Sequence, residues 1–130
     1  MNEQMTWTGQ VDASLEQGQK TGLQLKKGDV ITVIASGYVK FGSNSNHWAD
    51  PSSAIPPSGK ADDEILKLVA LIGEDKTRYP IGTGVINWSV PADGELTLLF
   101  TDSPGGYYNN SGSFDVTVQK QKNIIVTFID

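Results

Sequence analysis

The chain has 130 residues, 15 acidic and 10 basic side chains, one histidine and no cysteine, for a net charge of -5 and a pI near 4.7. This length suits one domain with its own core, while the lack of cysteine excludes disulfides, iron–sulfur clusters and thiol nucleophiles, and the lone His47 excludes a two-histidine metal triad. The acidic balance argues against a nucleic-acid surface and leaves carboxylates, amides and hydroxyls, which suit hard cations and sugars.

In chain order, the first strand candidates are residues 5–11 and 21–25. The turn Lys27-Gly28-Asp29 then opens residues 30–36, where Val30, Thr32, Ile34 and Ser36 interleave with Ile31, Val33 and Ala35. Both faces are fairly apolar, as inside a sandwich. Residues 38–41 form a shorter candidate. Residues 61–72 fit either a helix opened by Asp62-Asp63-Glu64 or a strand ending at Gly73-Glu74-Asp75 like the first arm of a hairpin, and we favour the strand. Further candidates are residues 84–90, 95–100 after the turn Pro91-Ala92-Asp93-Gly94, 113–119, and 123–129. With 14 Gly and 6 Pro spacing the turns about ten residues apart, the pattern predicts an all-β, single-domain sandwich over 1–130. Residues 123–130 would add a C-terminal strand.

The apolar runs are far shorter than the ~20 residues of a membrane helix. The N-terminus lacks a secretory pattern, so cytoplasmic is the default expectation, with release or surface association left open.

Two segments break the regular spacing: 42–60 and 101–112. Long irregular loops on a compact sandwich are where function collects. In the second, Asp102-Ser103-Pro104-Gly105 reads as a β-turn and Asn109-Asn110-Ser111-Gly112 as another. Turns alone do not require the combination of one carboxylate (Asp102), two adjacent amide oxygens (Asn109, Asn110) and glycines that free main-chain carbonyls. That oxygen-only set suits calcium, which takes 6–8 oxygens with tolerant geometry, better than magnesium, zinc or copper.

The stretch from Asp102 to Phe114 resembles the ion- and sugar-binding segment of the bacterial galactophilic lectins of the PA-IL (LecA-like) family. The likeness extends to residues 7–11, 28–33, 37–42, Trp48 and residues 80–84, and so covers most of the chain to about Gln119. It implies a jelly-roll-like sandwich of two curved antiparallel sheets and a non-catalytic, calcium-dependent lectin. It also implies a homo-oligomer, a tetramer, whose partners are galactose-containing glycans. The implied Ca2+ ligands are the side chains of Asp102, Asn109 and Asn110 and the main-chain carbonyls of Phe41 and Gly106. The implied sugar contacts are Asp102, Asn109 and the backbone near Ser103, with the galactose 3-OH and 4-OH completing the ion's shell.

One departure is clear. Where the family places a His-Pro-Asp-Gln motif, this chain has Pro56-Pro57-Ser58-Gly59, and Ser58 is the candidate replacement contact. His47 falls too early for the motif's histidine and is expected to be solvated, while Trp48 is expected to pack beneath the loop. Two other readings remain: a small glycosidase recruiting Asp50, Asp62, Asp63 or Glu64 as paired carboxylates, and a structural or interaction sandwich whose asparagine loop is only a turn.

Overall fold

Regular alternation of buried and exposed side chains builds the strands, and their pairing builds two facing sheets. The computed structural model describes residues 5–42, 47–55 and 66–121. Its strands are β1 (Thr6–Asp12), β2 (Gln19–Leu25), β3 (Val30–Ser36), β4 (Val39–Lys40), β5 (Trp48–Ala49), β6 (Ala54–Ile55), β7 (Leu68–Ile72), β8 (Asp75–Pro80), β9 (Gly84–Ser89), β10 (Gly94–Phe100) and β11 (Ser113–Lys120). One four-stranded sheet runs β1-β11-β3-β9 and the other β2-β10-β7-β8, while β4-β5-β6 form a small third sheet. Neighbouring strands pair antiparallel throughout.

The predicted all-β sandwich is therefore the observed architecture. Residues 68–72 form a strand, as favoured, and it enters a hairpin at Gly73; residues 61–65 lie outside the described residues. The expected strand at 123–129, the segment 56–59 with Ser58, and the acidic run 62–64 also lie outside them. The segment 42–60 is less irregular than expected, because β5 and β6 fold within it.

Between the large sheets, Leu23, Ile31, Val33, Leu68, Ile72, Leu96 and Leu98 are fully buried. Phe100 of β10 meets Phe114 of β11 edge-on across the core, with ring centroids 5.7 Å apart. Edge-to-face packing sets the negative face of one ring against the positive rim of the other. β7 is apolar on both faces, and β10 is so at its Leu99 end. Their inner residues join this core, whereas Val69, Leu71 and Leu99 form a second cluster on the outer face with Tyr107. That outer cluster is what the second loop folds onto.

At the opposite end of β11, Lys120 pairs with Asp29 at 3.3 Å, both side chains largely buried. The same Asp29 oxygen accepts the Lys26 N–H at 2.8 Å, so the charge is both paired and hydrogen-bonded, the condition under which a buried ion is tolerated. Replacing Phe114 by Ala should lower the unfolding free energy by ~3–5 kcal/mol, measured as an earlier urea midpoint with unchanged slope.

Candidate functional site

Strand β10 hands the chain to the second loop at Thr101, which is fully buried. The Thr101 N–H donates to the Lys67 carbonyl at 2.8 Å, and its Oγ1 accepts the Lys67 N–H at 3.2 Å. Asp102 is thus the first residue free of the sheet. The next turn spans Ser103 to Gly106, closed by the Gly106 N–H on the Ser103 carbonyl at 2.8 Å. This corrects the expected turn at 102–105 by one residue. Pro104 takes the position that wants φ near -65°, and Gly105 the following one, where φ is +81° and glycine avoids the Cβ penalty. Asp102 stands before the turn, and its Oδ1 accepts the Ser103 N–H at 2.7 Å.

A one-turn 3-10 helix, Tyr107–Asn109, follows, and Asn110 is extended at φ -82°, ψ 149°. Tyr107 swings onto Val69 and Leu99, and its hydroxyl oxygen accepts the Asp102 N–H at 2.9 Å. The loop is therefore pinned to the sheet and closed on itself by one side chain. Burial pushes the Tyr107 phenol above its ordinary value of 10.0, with Asp102 and Glu16 adding to the rise and the Asp102 N–H bond and Arg78 opposing it.

Asn110 is 7% exposed, and its Nδ2 donates to the Ala13 carbonyl at 2.9 Å. Because that carbonyl can only accept, the bond fixes which end of the amide is oxygen. The Oδ1 atoms of Asn109 and Asn110 are both buried and have no hydrogen-bond partner among the described residues. Burying an acceptor without a donor costs ~1–3 kcal/mol. Two such atoms on adjacent residues call for a positive group.

The fourth and fifth candidates come close by different routes. Gly106 lies against the Asp102 carboxylate: a Cβ built there would stand 3.3 Å from Asp102 Oδ1. Lys40 and Ser111 exchange main-chain hydrogen bonds at 2.8 and 2.9 Å in an antiparallel bridge, and this register sets Phe41 alongside Asn110. Ser103 sits in the same loop, with its N–H on Asp102 and its carbonyl receiving Gly106. Ser58 lies outside the described residues.

Two expectations for the first segment are corrected. Trp48 does not pack beneath the loop; it is 42% exposed, because its two-residue strand turns the ring outward, where Lys40 Nζ lies 5.6 Å from the ring centroid in a cation–π contact. His47 is not solvated either. It is half-buried, stacks on Phe41 with centroids 5.0 Å apart, and its carbonyl accepts the Phe41 N–H at 2.9 Å. The Ala13 carbonyl and the Tyr107 hydroxyl are the parts of the site that sequence reasoning missed. Asp50, considered as a glycosidase acid, spends its Oδ1 on the Ser52 and Ser53 N–H groups at 2.7 and 2.9 Å.

Among the described residues no three His, Asp or Glu side chains gather as a metal cluster. The candidate site instead combines one carboxylate with amide and main-chain oxygens.

Fold and loop together define a small antiparallel β-sandwich with a cluster of oxygen-bearing side chains, the candidate site, in the loop after β10. The family profile described as PA-IL-like protein matches residues 6–123. The chain is 46% identical over 112 residues to Lectin A of Photorhabdus laumondii subsp. laumondii, an alignment that covers 86% of this chain and 89% of that protein. The solved structure of the EclA N-terminal domain, a PllA-like lectin, superposes with a TM-score of 0.80 at 38% identity, covering 92% of this chain and 100% of that one. The chain belongs to the PA-IL-like family of lectins.

The raised Tyr107 value sets a pH dependence. The folded state holds the phenolic proton more tightly than the unfolded chain does, so this stabilisation is complete below 10.0 and is lost as pH rises through the folded-state value. Urea midpoints should therefore fall on the alkaline side, and Tyr107→Phe should reduce that fall. It should not abolish it, because hydrogen bonding to Asp75 raises Tyr79 as well.

Proposed function

We propose that the protein is a non-catalytic lectin that binds galactose-containing glycans through a calcium ion. Asp102, Asn109 and Asn110 would hold the ion by side chain, and Phe41 and Gly106 by main-chain carbonyl. The reading is carried by the pair of buried, donorless Oδ1 atoms on Asn109 and Asn110. A cation satisfies both at once, and the absence of nitrogen and sulfur from the set favours a hard, geometrically tolerant one. When bound, the ion supplies a Lewis-acidic point that can exchange water for a vicinal diol, and the relative orientation of the two hydroxyls then selects among sugar epimers. The galactose 3-OH and 4-OH fit that role.

Around the diol, the Asp102 carboxylate and the Asn109 amide supply the hydrogen-bonding groups. Both main-chain groups of Ser103 are engaged within the loop, so its exposed hydroxyl is the freer group for sugar. Ser58 would contact more distant hydroxyls. A single shallow site binds weakly, and several linked sites gain by effective concentration, so the functional form would be a homo-oligomer. Light scattering should then return a multiple of 14.0 kDa; a monomer would count against agglutination, though not against sugar binding.

Calcium should raise the melting temperature and EDTA should reverse the rise, as for any ligand that binds only the folded state. The chain should be retained on galactose-agarose, elute with EDTA, and leave nitrophenyl galactosides unhydrolysed. Asp102→Ala and Asn110→Ala should lose both ion and sugar, whereas Ser58→Ala should alter at most the preference among galactosides. In calcium-free buffer Asn109→Ala should be neutral or stabilising by ~1 kcal/mol, because it deletes an unsatisfied acceptor. An unchanged melting temperature together with no retention would overturn the reading.

A further inference from the structure

A concavity adjoins the loop. It is an open groove of ≈ 670 Å³ lying over β7 and β10, with the β1–β2 turn at one end and the β7–β8 hairpin at the other, and its size is that of a small-molecule site. Asp102, Pro104 and Tyr107 form one wall, so groove and candidate ion site share Asp102. We propose that this groove is a second saccharide subsite, which takes the neutral sugar joined through the anomeric carbon of the galactose held at Asp102. The inference rests on the lectin reading above.

Three observations carry it. The floor is Leu71 and Leu99 with Thr97 opposite Leu71 in register, an apolar strip on which the C–H face of a pyranose can lie. The rim is polar and uncommitted: Arg78, Glu16 and Glu74 have no ion pair or side-chain hydrogen bond among the described residues. The Tyr107 hydroxyl receives the Asp102 N–H, which leaves its own proton to donate. Donors and acceptors therefore surround a greasy floor, as sugar hydroxyls and ring faces require.

The charge balance selects the occupant. Apart from Asp102, whose charge the ion would offset, Glu16, Glu74 and Asp75 line the groove against Lys76 and Arg78, a one-charge acidic excess that disfavours a carboxylated or sulfated sugar. Asp75 already accepts the Tyr79 hydroxyl and the Thr77 N–H, one on each oxygen, so it is held in place and contributes chiefly to the field. With the 3-OH and 4-OH occupied at the ion, the anomeric carbon is the natural point of extension.

Calorimetric titration of the intact chain in calcium tests the proposal, using methyl galactoside, α- and β-linked galactosyl-glucose, and the corresponding galactosyl-glucuronic acids. One of the neutral disaccharides should bind about fivefold tighter than methyl galactoside, the gain expected of one or two added hydrogen bonds. Its acidic counterpart should show no gain. Arg78→Ala and Glu16→Ala, both at exposed positions, should each reduce the gain and together erase it, with methyl galactoside affinity unchanged. Equal affinity for the monosaccharide and both neutral disaccharides would overturn the subsite and leave the lectin reading standing. A gain that survives the double variant would also overturn it. Binding of neither calcium nor any galactoside would remove the lectin reading and the subsite together.

Discussion

An amide oxygen buried without a donor is a cost the fold must hold in place, and here two of them sit side by side. Relaxation is blocked from three directions. The Asn110 amide is tied through its nitrogen to Ala13, so it cannot rotate its oxygen to water without breaking that bond. The residues before it are wound into a 3-10 turn whose Tyr107 is buried against the second sheet. The residue after it, Ser111, is laddered to Lys40. Sheet, turn and bridge each constrain the same short stretch. The strain is local, and the sandwich is the frame that keeps it from dissipating, which is how functional sites commonly store unfavourable geometry.

Much of this frame is legible in the sequence because strands report themselves by period. Residues 30–36, 95–100 and 113–119 alternate over enough positions to be recognised, and they coincide with β3, β10 and β11 within a residue. β8 is not assigned from its residues, since Asp75-Lys76-Thr77-Arg78-Tyr79-Pro80 carries mostly exposed polar side chains and takes its register from the hairpin at Gly73. β5 and β6 have two residues each, too short for any periodicity. Trp48 shows the limit from the other side: hydrophobicity argues for burial, but the direction of a two-residue strand decides where the ring goes.

The loop divides in the same way. Asp102, Asn109 and Asn110 stand out by chemistry, because few turns need a carboxylate and two adjacent amides. The Ala13 carbonyl that orients Asn110 has no sequence signal, since every residue carries the same main-chain oxygen. Tyr107 is visible as a residue but not as a clasp. Its role depends on an apolar outer face of β7 and β10, a feature apparent only once both faces of those strands are placed. The groove beside it depends on the same placement, since its floor and its rim come from four separate stretches of chain.

The pairing order has a consequence for how the molecule is made. β1 lies against β11, β2 against β10 and β3 against β9, so the strands close like nested brackets around the middle of the chain. The contacts that orient the loop follow suit, the Asn110–Ala13 bond joining residues 97 apart. Apart from the small β4-β5-β6 sheet, no strand pairing is available to a chain half emerged from the ribosome, and long-range strand pairing is slow to nucleate. The first strands must wait, unpaired and exposed, for the last ones to be synthesised. The loop after β10 is therefore assembled late, and no fragment of the sequence, including the motif itself, carries its geometry alone.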